Sequence, residues 1–467
     1  QAVGGVLSSG NRVMPNIDYG RLCQAIHASR QGLQRYRQER REAVREYVGA
    51  HYSEDGAQDR VPVNLISLYI QIVSRSLIAK NPRVNLSTFD RKHRPAVASL
   101  ETWANKEIEA VKLGNIMQRV VLDALFGIGV CKVALATPAD AAMAQWGLVA
   151  GRPYLAPIDP DDLAFDGHAR DLAEVGFIGH RYWRPLEVVR DDTNYSSARK
   201  KLAVSEDSPY NLEGDERISA IGRPRYADQQ QFEDFVDLWE VYLPRHRLVV
   251  TFAGDSLSGA SPDNKQEPLR VQEWIGPKNG PYHILGYQTV PGNPMPKGPI
   301  QDLIALHEAT NRCYRKIIRQ SDRLKELAAI QAGAMEDGKR VMEASDGDII
   351  RVDNPDSLKQ FVMGGANQRV QAMAGHLKDI FTYMAGNLDM MGGLSPQSKT
   401  LGQDQMLAQN ASRGLADMQD RTVSFVSDIV KALSWYWWHD PFLVIKATYA
   451  PVGGESFSVM RTVKPTD

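Results

Sequence analysis

Two stretches decide the architecture: QDLIALHEATNRCYRKIIRQSDRLK (301–325) and ANQRVQAMAGHLKDIFTYMAG (366–386). In the first, apolar side chains recur at Leu303, Leu306, Cys313, Ile317 and Leu324, one face of a helix of about seven turns. In the second, Val370, Met373, Leu377, Phe381 and Met384 make the corresponding face. Between them, 327–363 is short and mixed, with a Gly-Asp turn and the small strand DIIRV (348–352). A loop of small and polar residues, MMGGLSPQSKTLG (390–402), follows. It leads into a last long helix from about 403 to 438. Its stripe is Ala411, Leu415, Met418, Thr422, Val426, Ile429 and Leu433, spaced by three and four. The tail, PFLVIKATYAP (441–451) and SFSVMR (456–461), is β-like.

Upstream of the hairpin, the proline-rich run YQTVPGNPMPKGPI (287–300) reads as a rigid connector or boundary. From about 128 to 300 the chain is mostly β. VCKVALA, PYLAPI, EVGFIGHRYW, DFVDLWEVYL and HRLVVTFAG are short runs of β-branched and aromatic residues bounded by turn formers. The polar segment 194–231 reads as a surface excursion. Helices are expected over 17–52, in PVNLISLYIQIVSRSLIAKNPRV (62–84) between its prolines, and near 96–112 and 116–126. The charged run RQGLQRYRQERREAVREY (30–47) places Arg and Glu at i,i+3 and i,i+4 spacings and reads as a solvated face or a subunit contact. The fold class expected is α+β.

At 467 residues the chain exceeds a single core, so more than one structural region is expected. Lys and Arg (55) nearly cancel Asp and Glu (56), which argues against a protein that grips nucleic acid tightly. Cys23, Cys131 and Cys313 are far apart and form no CxxC pair, so neither a disulfide framework nor a cysteine zinc site is expected; folding in a reducing cytosol is. No stretch is long and apolar enough to span a bilayer, and the N-terminus lacks a signal-peptide pattern.

Catalytic constellations are missing from the sequence. GAMEDGKR (333–340) puts Arg340 where a phosphate loop needs a hydroxyl, and FGIGV (126–130) lacks the third glycine of a dinucleotide fingerprint. No HExxH or GxSxG occurs. The carboxylate run DPDDLAFDGHARD (159–171) lacks calcium-loop spacing and reads as turn chemistry. The cluster Trp435–Tyr436–Trp437–Trp438 reads as core or subunit interface in preference to a base-stacking platform. The expectation is a protein that is not an enzyme, with no cofactor and no metal.

The order of elements resembles the portal proteins of tailed double-stranded DNA bacteriophages, the head-to-tail connectors. PVNLISLYIQIVSRSLIAKNPRV is similar to that family's N-terminal helix ending in an Asn-Pro step. VVLDALFGIGVCKVAL (120–135) is similar to its helix, glycine turn and strand, and PIDPDDLAFD (157–166) to the strand after it. The run from Phe381 to Leu433 resembles its helix, flexible loop and long second helix. The resemblance covers nearly the whole chain. It implies a wing over 1–300, a first stem helix at 301–326, a clip at 327–363 and a second stem helix at 364–389. It further implies a tunnel loop at 390–402, a long wing or crown-base helix at 403–440 and a β-like return at 441–467. Portals often carry a C-terminal helical crown, whereas this sequence ends in β-like residues.

What the resemblance implies for function is a structural ring of about twelve subunits at the unique capsid vertex of the virion. The ring would conduct double-stranded DNA in packaging and ejection and dock the terminase large subunit. Adaptor and tail proteins would follow at the same end; major capsid and scaffolding proteins would surround it. Synthesis in the host cytoplasm follows, with no membrane partner. Twelve helices about 9 Å apart need a circumference of about 110 Å, leaving a bore of roughly 25 Å, enough for B-form DNA about 20 Å across.

Within that picture, Ser395, Gln397, Ser398, Lys399 and Thr400 would face the bore, with Gly392, Gly393 and Gly402 as hinges. Arg312, Arg315, Lys316, Arg319, Arg323 and Lys325 make a basic stem face, expected to pair with acids of a neighbouring subunit. Asp337, Lys339 and Arg340 near the clip turn are the expected motor or adaptor contacts. The competing classes are an enzyme with a helical oligomerisation region and another head–tail adaptor.

Overall fold

The structure, a computed structural model, describes residues 17–49, 63–78, 82–92, 94–137, 149–171, 174–205, 234–254, 267–330, 335–345, 347, 349–351, 358–386, 388, 401–440, 445–447 and 461–463. The fold is mixed α+β. The chain divides into two compact units: Gln1–Arg45, Ile70–Asp302 and Gln409–Asp467 form one, and Glu46–Tyr69 with Leu303–Ala408 the other. Residues 46–69 thus group with the hairpin and not with the rest of the N-terminal region.

The first unit opens with α1 (Tyr19–Gly32) and α2 (Gln34–Val48). Asp18 caps α1 by accepting the Arg21 N–H at 3.1 Å, satisfying one of the donors a helix start leaves over. Helix α3 (Leu65–Leu77) belongs to this unit from Ile70 on, and α4 (Arg94–Ala110) and α5 (Leu113–Phe126) follow. From α5 the chain turns straight into β1 (Gly129–Leu135). A Cβ on Gly129 would collide with the Val120 carbonyl, so FGIGV is a tight helix-to-strand turn that requires glycine there.

In one sheet β1 lies between β2 (Pro153–Ile158) and β8 (Tyr282–Leu285), antiparallel to both. The other sheet is a meander of β3 (Leu163–Phe165), β4 (Ile178–Pro185), β5 (Phe235–Leu243), β6 (Leu248–Ala253) and β7 (Arg270–Glu273). A short α6 (Leu186–Asp191) follows β4. Alternation along β5 sends Trp239, Val241 and Leu243 to one face, where Leu22, Cys23 and Ile26 of α1 cover them with Val250 and Phe252. Val236 and Leu238 point the other way, onto Leu186, Val189 and Leu269. Burying each large side chain of this kind is worth roughly 1.5–3 kcal/mol, which makes β5 the spine of the unit.

One reading of this region is corrected. The connector 287–300 holds a hairpin, β9 (Gln288–Val290) with β10 (Asn293–Lys297), turning at Gly292. Pro294 and Pro296 are tolerated because β10 pairs on one side only. The short strands β3, β7 and β8 exist because long neighbours supply their partners, a tertiary effect that local patterning does not carry.

In the second unit, α7 (Ile304–Asp322) leads into β11 (Lys325–Ile330), α8 (Met335–Glu343), β12 (Leu358–Met363) and α9 (Gln368–Met384). β11 and β12 pair antiparallel from Lys325↔Met363 to Ile330↔Leu358. The expected strand DIIRV is a correction: its described residues, 349–351, lie in no strand, and Ile349 is fully exposed. A strand needs a partner for its backbone groups, and β11 takes LKQFVM (358–363) instead. The long α10 (Leu401–His439) begins in this unit and from Gln409 belongs to the first, as do β13 (Ile445–Ala447) and its partner β14 (Arg461–Val463), a β return as expected.

Candidate functional site

The feature that stands out is the excursion α7–β11–α8–β12–α9. Its two helices pack on one another, and the strand pair closes at Gly364, which takes φ +86° with a Cβ position only 2.6 Å from the Arg323 carbonyl. The Gly365 N–H donates to the Gln320 carbonyl (3.2 Å), and the Asn367 N–H to Gln320 Oε1 (3.0 Å). Asn367 also caps α9 through the Arg369 N–H. The hairpin is therefore stitched at its neck by side chain and backbone together.

The buried faces differ from those expected. On α9 the stripe is Ala374, Leu377 and Phe381, continued by Ala385 and Leu388, while Met373 and Met384 are exposed. A shift of one position on the helix surface separates the two stripes. On α7, Leu303 is buried and Leu324 exposed, and the interior is polar: His307, Thr310 and Asn311 are fully buried. His307 Nε2 meets Glu46 Oε2 at 3.3 Å, and Asn311 Nδ2 donates to the carbonyls of His307 (3.1 Å) and Val63 (3.4 Å). Apolar periodicity cannot find a face whose interior is polar. The inverse holds outside: Met335 is 76%, Met342 83% and Tyr383 74% exposed, with Leu324, Leu327, Met373 and Met384 also open. These exposed apolar residues are spread over the neck strand, α8 and α9.

The predicted basic residues sit on the open side. Arg312, Lys316, Arg319 and Arg323 follow at spacings of four, three and four, an exposed stripe, and Arg315 is half-buried. Arg312 pairs with Glu308 at 3.5 Å, and Arg315 and Arg319 also engage neighbours. Lys325 opens β11 instead of ending α7. On α8, Asp337 is buried against Arg340 (3.8 Å), leaving Lys339 and Arg340 to present charge. Gly402 lies in the first turn of α10, a helical position and not a loop hinge. Gly392, Gly393, Ser395, Gln397, Ser398, Lys399 and Thr400 lie outside the described residues.

The stripe expected along α10 is only partly the observed one. Thr422, Ile429 and Leu433 are buried with Phe425, Ala432, Tyr436 and Trp437, and Val426 is half-buried. Trp437 meets Trp103 edge-on at 5.0 Å, so half of the aromatic cluster is core, whereas Trp438 stays exposed.

The charged run 30–47 is not simply a solvated face. Arg40 is buried, with Nη2 on Asp123 Oδ1 at 2.7 Å and Nη1 near Asp161 (3.4 Å) and Asp159 (3.5 Å). Desolvation acts against the guanidinium, the three carboxylates outweigh it, and the Arg40 pKa stays raised; burial pushes the Asp123 carboxyl up. A signal for this was present: Tyr36, Arg40, Ala43 and Tyr47 recur at helical spacing, so Arg40 stands in a sequestered stripe. Asp159 also accepts the Asp161 N–H (3.0 Å) and Asp166 those of His168 (3.1 Å) and Gly176 (3.2 Å), which is the turn chemistry read from 159–171. Among the described residues no group of His, Cys, Asp and Glu is placed to hold a metal.

No protein-family model matches this sequence, and no curated protein does. No helix among the described residues is long and apolar enough to cross a membrane.

Proposed function

We propose that the chain is a portal subunit, one member of a ring that threads double-stranded DNA at a capsid vertex. The observation that carries the reading is the hairpin α7–β11–α8–β12–α9, with a polar, pinned interior and apolar residues left open on its outside. A lone chain gains nothing from exposing Met335, Met342, Tyr383 and Met384, whereas copies side by side bury them. The stripe Arg312–Lys316–Arg319–Arg323 then offers charge to the neighbour's acids or to the duplex. In this reading α7 and α9 are the stem, β11–α8–β12 the clip, and the tunnel loop is the expected segment 390–402, less the two residues that open α10. The terminase motor and later the adaptor proteins dock at the clip, where Lys339 and Arg340 are presented.

Native mass and negative-stain imaging of the purified protein test this directly. The expected particle is a cone-shaped ring of about twelve subunits with an axial opening of about 25 Å. A sample that is monomeric at every concentration and salt, or a closed particle without an opening, ends the reading. Lys399→Ala, assayed for packaging and DNA retention, is expected to alter at least one of them; no change in either removes the role of the loop lysine.

A further inference from the structure

The charged run that sends Arg40 inward keeps a second set of its arginines outside. Residues 30–45 hold six arginines and two glutamates, in a chain whose formal net charge is −1. Arg30 stands in the last turn of α1, and Arg37, Arg41 and Arg45 follow on α2 at steps of seven, four and four, which is one helix face. Helical hydrogen bonding carries that face across the joint. The Leu33 N–H donates to the Ser29 carbonyl (3.0 Å), and the Arg37 N–H donates to the Leu33 carbonyl (3.0 Å). All four arginines line a cavity of about 580 Å³ that lies wholly within the first unit. At 1.5 Å per helical residue, the stretch from Arg30 to Arg45 is about 22 Å long.

Against these four cations the lining sets one carboxylate, Glu42. Neutral groups fix Arg37 in place: Nη1 donates to the Arg30 carbonyl (3.0 Å) and Nη2 to the Leu163 carbonyl (2.9 Å). Arg41 reaches Asp161 at 3.5 Å, a carboxylate that Arg40 already engages at 3.4 Å. Arg30 lies over the Trp239 ring, 5.4 Å from its centroid. Burial lowers the Arg37 pKa, and the neighbouring Arg30 and Arg41 act in the same direction against Asp161 and Asp162. Like charges held together along a concave surface raise its potential and concentrate anions there.

The rest of the lining selects among anions. Gln31, Gln34 and Gln38 are exposed along the same groove, and among the described residues no aliphatic side chain and no ring of Phe, Tyr or Trp lines it. A protein partner is anchored by buried apolar and aromatic groups, and nucleobases by a stacking platform; the groove offers neither. Arginine forks and glutamine amides are the groups that hold the phosphates and sugars of nucleic acid. A duplex carries one charge per about 1.7 Å of its axis, so a groove of this length meets a phosphate at each of its cations. We infer that the groove binds the phosphate backbone of nucleic acid without reading its sequence. The contact belongs to α1 and α2 and not to the hairpin that carries the portal reading.

The experiment is fluorescence anisotropy of the full chain with labelled duplexes of about 20 base pairs in two unrelated sequences, between about 50 and 200 mM salt. Saturable binding is expected, equal for the two sequences within about threefold, with a slope of log affinity against log salt of about −3 to −4. Arg41→Gln and Arg45→Gln should each make that slope shallower by about 1, and together weaken binding about tenfold at the lower salt. Far-ultraviolet circular dichroism should stay unchanged, and lysine at both positions should restore the parent slope. Arg35→Gln, outside the groove on the same helix, should leave the slope as it is. No saturable binding, a parent slope in both folded glutamine variants, or an equal loss in Arg35→Gln overturns the inference. So does displacement by polyglutamate as complete as by unlabelled duplex, or a double variant that no longer assembles, which would make the groove a subunit contact. Particle mass reads ring formation separately: a monomer that binds keeps this inference and ends the portal reading, and a ring that does not bind does the reverse.

Discussion

Arg40 shows how one side chain joins parts of the sequence that look unrelated. Its guanidinium lies among Asp123, Asp159 and Asp161, with Arg41 also reaching Asp161 at 3.5 Å, so Arg40→Met strips a cluster of buried carboxylates of the cation they share. The expected loss at pH 7 is about 3–5 kcal/mol in urea unfolding. Part of it should return as the pH falls, since burial already raises the Asp123 carboxyl and it takes up a proton early; a variant with no such recovery contradicts this account. His180 gives the opposite sign. Its folded pKa of about 3 lies below the ordinary 6.5, so the unfolded chain binds the proton first, and stability falls as pH drops between those values. This one group contributes a slope of roughly 1.4 kcal/mol per pH unit across that window. His180→Gln should flatten the pH dependence of unfolding between pH 6 and 4 by about that amount, whatever its effect at pH 7. Neither role was legible in the sequence, because a buried charge is recognised by its partners, and those lie on other elements.

Among the elements, the helices and long strands were legible and their facing was less so. Strands β2, β5 and β6 fall within the runs read from β-branched and aromatic content, β1 and β4 overrun theirs by one and two residues, and Leu377 and Phe381 were placed correctly on the inner face of α9. Met373 and Met384 were not, since methionine fits both a core stripe and an open contact surface. The difference is measurable. Phe381→Ala should cost about 3–5 kcal/mol, whereas Met384→Ser should leave the unfolding midpoint of the isolated chain within about 0.5 kcal/mol. The polar interior of α7 was missed for a related reason: His307, Thr310 and Asn311 dilute the apolar period that the reading relied on. The neck of the hairpin depends on Gly364 in left-handed backbone, and Gly364→Ala adds a methyl against the Arg323 carbonyl.

For the whole molecule, the two compact units give the ring proposal a separable test. Serine at Met373, Met384 and Tyr383 together is expected to lower the particle mass toward the monomer without changing far-ultraviolet circular dichroism. Loss of helical signal in parallel, or full assembly despite the three changes, would count against the exposed face as the contact. The α+β class followed from the sequence because helical and strand periods occupy separate stretches; the partition of 46–69 with 303–408 did not, because nothing local records which distant segment a helix will meet. The salt-linked hub has a further consequence during synthesis. Arg40 precedes its acids by 83, 119 and 121 residues. A chain synthesised only as far as residue 100 has made the cation and none of these three counter-charges, so α2 lacks the bonds that seat Arg40. Nascent chains arrested before residue 123 should be cut readily by protease within α2, and those carrying residues through 165 should begin to resist there: the helix waits for a later part of its own message.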